Sequence, residues 1–112
     1  MMLIVGALQR ETSGITRSLG YTAVEGPEDF DVYTPKSNQN PTIVLSGSGS
    51  ERATRATIWA IDKFNPEAIV SMGFCGATKE HQRSGDLIIA TSVTHLPGTP
   101  FEWSMPIKTD SI

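Results

Sequence analysis

A single cysteine, Cys75, stands among 112 residues, so no internal disulfide can form. Without paired thiols the chain reads as one folded in a reducing compartment, the cytoplasm. Positive charge is also scarce, with 9 Lys and Arg against 12 Asp and Glu and a formal net charge of -3. Phosphate backbones and anionic surfaces are bound by clustered basic side chains; no such cluster occurs, which excludes nucleic acid and membrane surfaces as expected partners. No apolar run reaches the length of a spanning helix. The opening run, Met1 to Val5, breaks at Gly6 and lacks a basic leader, so it reads as a first strand and not as a signal peptide. Neither His81 nor His95 has a second ligand at a metal-binding spacing, and neither metal nor another cofactor is expected.

What is present has the rhythm of an α/β domain. The length fits a single domain, 1–112, with one core. Met2 to Ala7 is a continuous apolar run that suits a strand covered on both faces. Leu8 to Leu19 reads as a short helix, with Leu8, Ile15 and Leu19 on the inner side and Gly20 placed to end it. Tyr21 to Asp31 is turn-rich, and with a short strand over Phe30 to Thr34 it reads as a hairpin insertion. From Pro41 the order is strand, glycine turn, helix to Asn65, then a buried strand over Glu67 to Met72, which makes a βαβ unit. A further strand is expected over Leu87 to Ala90, continuing toward Val93, and an irregular tail over 96–112, where prolines interrupt every period.

The stretch from Ser46 to Ala53 is the most informative. Ser46-Gly47-Ser48-Gly49 joins a β-branched strand to a helical pattern, and the first N–H groups of a helix lack internal partners, so the junction suits phosphate, carboxylate or ribose oxygens. Ser48 also stands three residues before Glu51, the spacing of a capping box that merely starts a helix. Both readings fit the residues. It is not a dinucleotide fingerprint, because Arg52 occupies the place of the third glycine, and there is no Walker lysine. In open α/β sheets ligands sit beyond the carboxyl ends of strands, and three such ends carry small residues: Gly6-Ala7, Ser46 to Gly49 and Gly73 to Gly76. Glu11 follows the first of these ends, where a carboxylate orients a water or a sugar hydroxyl, or simply favours a helix start. Arg10, Arg52 and Arg55 are candidates for an anion, with Arg52 the best placed. Cys75 reads as a small buried hydrophobe, Asp86 as a turn former, and Trp59, Phe64 and Trp103 as packing residues.

Three motifs in order carry a resemblance. Leu3-Ile4-Val5-Gly6-Ala7-Leu8-Gln9-Arg10-Glu11, Ser46-Gly47-Ser48-Gly49-Ser50-Glu51-Arg52-Ala53 and Met72-Gly73-Phe74-Cys75-Gly76-Ala77, the last followed by Gly85-Asp86-Leu87, resemble the N-terminal half of the nucleoside phosphorylase and nucleosidase superfamily, in particular its methylthioadenosine/adenosylhomocysteine nucleosidase-like branch. The resemblance implies a twisted mixed, largely parallel sheet flanked by helices, and cleavage of a nucleoside N-glycosidic bond through an oxocarbenium-like sugar. It matches Glu11 to the acidic residue that positions the attacking water. It also implies a nucleophile and ribose pocket lined by Ala7, Leu8, Gly47, Ser48, Gly49, Arg52, Gly73, Phe74, Cys75 and Gly76, with a nucleoside or phosphate as small-molecule partner.

Two departures stand out. Phe74 takes the place where phosphorylases commonly present a serine or threonine hydroxyl, and Ser71 the place where an arginine often binds phosphate, which tilts the expectation toward hydrolysis. The purine-binding aromatic, the ribose-binding Met-Glu pair and the Asp that protonates the leaving base belong to a C-terminal half not represented in these residues. Acid assistance of that kind is worth about 10² to 10⁴ in rate, so weak or no turnover is expected of this chain alone. The alternative expectation is a non-catalytic module that self-associates into a homo-oligomer or binds a partner through apolar surface.

Overall fold

Leu3, Ile4 and Val5 are all buried because the strand they form, β1 (Met2–Gly6), lies inside a sheet with helices on both faces. The computed structural model describes residues 1–93 and the backbone of residues 107–108. Within them the order continues as α1 (Gln9–Ser18), β2 (Thr22–Glu25), β3 (Asp31–Thr34), β4 (Thr42–Leu45), α2 (Ser50–Phe64), β5 (Ala68–Ser71), β6 (Ser92–Val93) and β7 (Ile107–Lys108). Two compact units result, Met1–Cys75 and Gly76–Ile112.

In the first unit the strand order is β2-β3-β4-β1-β5. β1 pairs in parallel with β4, Leu3 opposite Thr42, and with β5, Leu3 opposite Ile69, whereas β2, β3 and β4 pair antiparallel. The sheet is therefore mixed, with its parallel part centred on β1. Alternation along β1 divides the core into two layers. Leu3 and Val5 join Phe30, Val32, Val44 and the small Ala56 and Ala60 of α2, with Trp59 and Phe64 packed alongside. Ile4 joins Ile43 and Leu45 on the other side, against Ile15, Tyr21, Tyr33, Val70 and Met72. Trp59 meets Phe30 at 6.2 Å and Phe64 edge-on at 5.7 Å, so both Trp59 and Phe64 are packing residues as expected.

The helix ends follow local chemistry. Gly20, at φ +65°, ends α1, and the Tyr21 N–H reaches the Thr16 carbonyl at 3.0 Å. Asn65 in the left-handed region, followed by Pro66, ends α2.

Four expectations need correction. The inner face of α1 is Thr12 and Thr16 with half-buried Ile15, while Leu19 is exposed; the threonine hydroxyls donate to Gln9 and Ser13 carbonyls, freeing their methyls to pack. Thr22–Glu25, in the stretch read as turn-rich, is a strand paired with β3 across a turn where Gly26 is indispensable, since an added Cβ would lie 2.6 Å from the Phe30 carbonyl oxygen. The strand over Glu67 to Met72 forms, but as an edge whose Ala68, Ile69 and Ser71 are exposed, because β1 is its one neighbour among the described residues. Leu87 to Ala90 lies outside both sheets with Leu87, Ile88 and Ile89 exposed, and pairing begins at Ser92. The expected tail, 96–112, lies outside the described residues except for β7. No helix among the described residues is long and apolar enough to cross a membrane.

The Tyr21 hydroxyl donates to the Pro41 carbonyl at 2.6 Å and fastens the end of α1 to the start of β4. Burial pushes this phenol above its ordinary value of 10.0. The unfolded chain therefore loses the proton first as pH rises, so this contribution is complete below the unfolded pKa and is lost as pH climbs through it toward the folded one. Tyr21→Phe is expected to cost about 1 kcal/mol at neutral pH. In urea titrations the gap between the two proteins should narrow above pH 10; a gap constant to the most alkaline measurable point contradicts the assignment.

Candidate functional site

Since β4, β1 and β5 run parallel as neighbours, their carboxyl ends share one edge of the sheet. Hydrogen bonding continues past the strand ends. Ser46 N–H donates to the Gly6 carbonyl and Gly47 N–H to that of Ala7, both at 2.9 Å, while Met72 N–H reaches the Val5 carbonyl at 3.1 Å. The exit of β1 is thus bonded to both flanking exits.

Glu11 closes this edge. It lies in the first turn of α1, half-buried, and each carboxylate oxygen accepts from a different backbone N–H. Oε1 accepts from Leu8 at 3.1 Å and Oε2 from Phe74 at 2.8 Å. The first bond is the acidic half of a capping box; Leu8, having no side-chain oxygen, cannot supply the other half. The second spans from the helix after β1 to the loop after β5. A carboxylate oxygen has two acceptor positions, so one on each oxygen remains for a donor from outside, such as water or a sugar hydroxyl. The same side chain thus serves the start of α1 and bridges to the loop after β5.

On the other flank, Gly47 adopts φ +81° and Gly49 φ +103°, values that favour glycine. Arg52 folds back over Gly47, and an added Cβ there would lie 2.8 Å from Arg52 Nη1. The buried Ser46 hydroxyl donates to the Gly47 carbonyl at 2.8 Å, fixing the turn from beneath. Gly49 is the N-cap of α2 and makes no side-chain cap, so the capping box suggested by Ser48 and Glu51 does not form. Ala7 and Leu8 are half-buried, while Ser48, Gly49, Arg52 and Gly73 are exposed.

Phe74 places its N–H on Glu11 and leaves its ring 71% exposed. Cys75 is exposed, not buried, because the chain has left the sheet before reaching it. Gly76 opens the second unit. Arg10 is exposed, and Arg55 lies 3.9 Å from Glu28 in a surface pair. In the second unit Asp86 accepts from Arg83 N–H at 2.9 Å, the turn role expected of it, and His81 is exposed. His95 and Trp103 lie outside the described residues. Among the described residues no three His, Cys, Asp or Glu side chains gather. The contact from Glu11 to Phe74 N–H was not readable beforehand, since a backbone donor leaves no mark in residue type.

Residues 2–107 match the sequence profile of the Phosphorylase superfamily. The chain is similar to the 5'-methylthioadenosine/S-adenosylhomocysteine nucleosidases of Exiguobacterium sp., with 28% identity over 82% of this chain and 40% of the relative, and of Staphylococcus epidermidis, with 28% identity over 85% and 42%. Among solved structures it is similar to the nucleosidase of the same name from Neisseria meningitidis in complex with methylthio-immucillin-A. There the TM-score is 0.71 at 26% identity, covering 84% of this chain and 41% of the other. The chain spans about two fifths of the length of the curated relatives it matches.

The Gly47 turn generates a stability prediction. Gly47→Ala should cost about 1–2 kcal/mol from its left-handed backbone. Adding Arg52→Ala removes the steric conflict but leaves the strain, so the double variant should recover only part of the loss in chemical denaturation; full recovery would show that the clash alone matters.

Proposed function

Because the chain belongs to the Phosphorylase superfamily, we propose that the edge formed by β4, β1 and β5 is the nucleophile side of a nucleoside N-glycosidic cleavage in which water attacks. The observation that carries this reading is the Glu11 carboxylate, held from both sides by Leu8 and Phe74 N–H. Such a carboxylate takes a proton from water as the water oxygen bonds to the anomeric carbon. The electron pair of the breaking C–N bond leaves with the base, which needs its own proton. Phosphate is disfavoured as the nucleophile, because a carboxylate repels it and Phe74 offers neither hydroxyl nor cation. The names of the relatives support adenine nucleosides with a 5'-thio substituent as the substrate class.

A second reading, a non-catalytic module that associates with itself or a partner, is favoured by exposed apolar side chains on α2 and β5. Ile58 is 64% exposed, and Ile61 and Ile69 are also exposed. Under this reading sedimentation shows assembly that Ile58→Lys weakens; a monomer at all concentrations removes it.

The test of the first reading is adenine release from 5'-methylthioadenosine or S-adenosylhomocysteine at high protein concentration, followed by chromatography. Slow turnover is expected, and Glu11→Gln should lower it by about 10² or more. No adenine from either compound overturns the reading for these residues.

A further inference from the structure

Gly73 precedes the residue whose N–H holds Glu11. A Cβ added at Gly73 would lie 2.6 Å from Glu11 Oε2 and 3.3 Å from Cδ. That same Oε2 accepts from Phe74 N–H at 2.8 Å. Gly73 is not among the glycines at positive φ, so its backbone is open to any L residue. Glycine's conformational freedom, which Gly47 uses, is thus not required here; what Gly73 supplies is the empty space beside its Cα. The group filling that space is the end of a side chain from the first turn of α1, not backbone, so a methyl there displaces the carboxylate while the strands keep their places.

We propose that Gly73 is a positioning residue for Glu11: its lack of a side chain is the slot that admits the carboxylate to Phe74 N–H, and any larger residue uncouples Glu11 from the exit of β5. The inference deepens the proposed hydrolytic role and rests on it for its effect on turnover. Glu11 accepts from Leu8 within its own helix start, and one anchor leaves the carboxylate free to pivot. The second, across the gap to β5, fixes where its remaining acceptor positions point. A general base displaced by about 1 Å loses much of its effect, on the order of 10²-fold.

The experiment is a pH titration of the full 112-residue chain by amide NMR together with steady-state kinetics, comparing wild type with Gly73→Ala. In the wild type the Phe74 amide proton should shift as Glu11 titrates; in Gly73→Ala that response should vanish, with kcat lowered about tenfold or more and KM nearly unchanged. A Phe74 response that persists in Gly73→Ala overturns the proposal, as does a lost response with unchanged kcat. If Gly73→Ala does not fold, Glu11→Ala supplies the test of the contact. Hydrogen exchange at Phe74 should then accelerate about tenfold or more relative to Met72, whose N–H is held by Val5; equal exchange overturns the contact and with it the proposal. Wild-type protein that releases no adenine removes the hydrolytic reading, while the slot stands or falls on the amide response.

Discussion

The carbonyls at the carboxyl end of β1 hold both neighbouring strand exits, and everything in the candidate site is measured from them. Val5 fixes Met72, and Gly6 and Ala7 fix Ser46 and Gly47. The bonds are main-chain and run to either side of one strand, so the two glycine turns inherit their spacing from the parallel sheet and not from their own sequences. Side chains then refine what the sheet has set. Ser46 props one turn from below, and Glu11 reaches across the other.

This division of labour explains how much was legible in the residues. Runs such as Leu3-Ile4-Val5 and Thr42-Ile43-Val44-Leu45 have no polar face, and a strand without a polar face must be covered on both sides; here the inference from pattern to layer was direct. The turns at Gly20 and Asn65-Pro66 were equally plain, because their chemistry is local. Thr12 and Thr16 were passed over because threonine counts as polar until its hydroxyl is seen to bond back to its own helix. Among the described residues, β5 has exposed side chains and Leu87 to Ala90 is not assigned as a strand, although both runs are apolar. Apolar content reports a tendency to be covered, whereas coverage depends on which other chain segments are near.

The candidate site was half visible for a related reason. Glu11, Gly47 and Gly49 announce themselves through residue type and their place just after apolar strands. The bond that gives Glu11 its direction does not, because Phe74 donates with its backbone and its ring faces solvent. Phe74 takes its place at this edge through its main chain and not through its side chain. Family membership comes from the whole stretch of residues 2–107 and not from this site alone.

β1 lies between two parallel partners, β4 and β5, both far downstream of it in the chain. During synthesis this strand emerges with two bare edges and waits for Thr42–Leu45 and then Ala68–Ser71 before either edge is satisfied. Loop closure over such separations makes non-local parallel pairing slow, and an unpaired apolar strand in the interval is a template for other chains. The ion pair of the Met1 amine with Glu67 at 4.0 Å, and the Glu67 N–H donated to the Met1 carbonyl, register the last partner against the very first residue. Both edges of β1 thus depend on strands made later than it, and the order of synthesis works against the order of assembly.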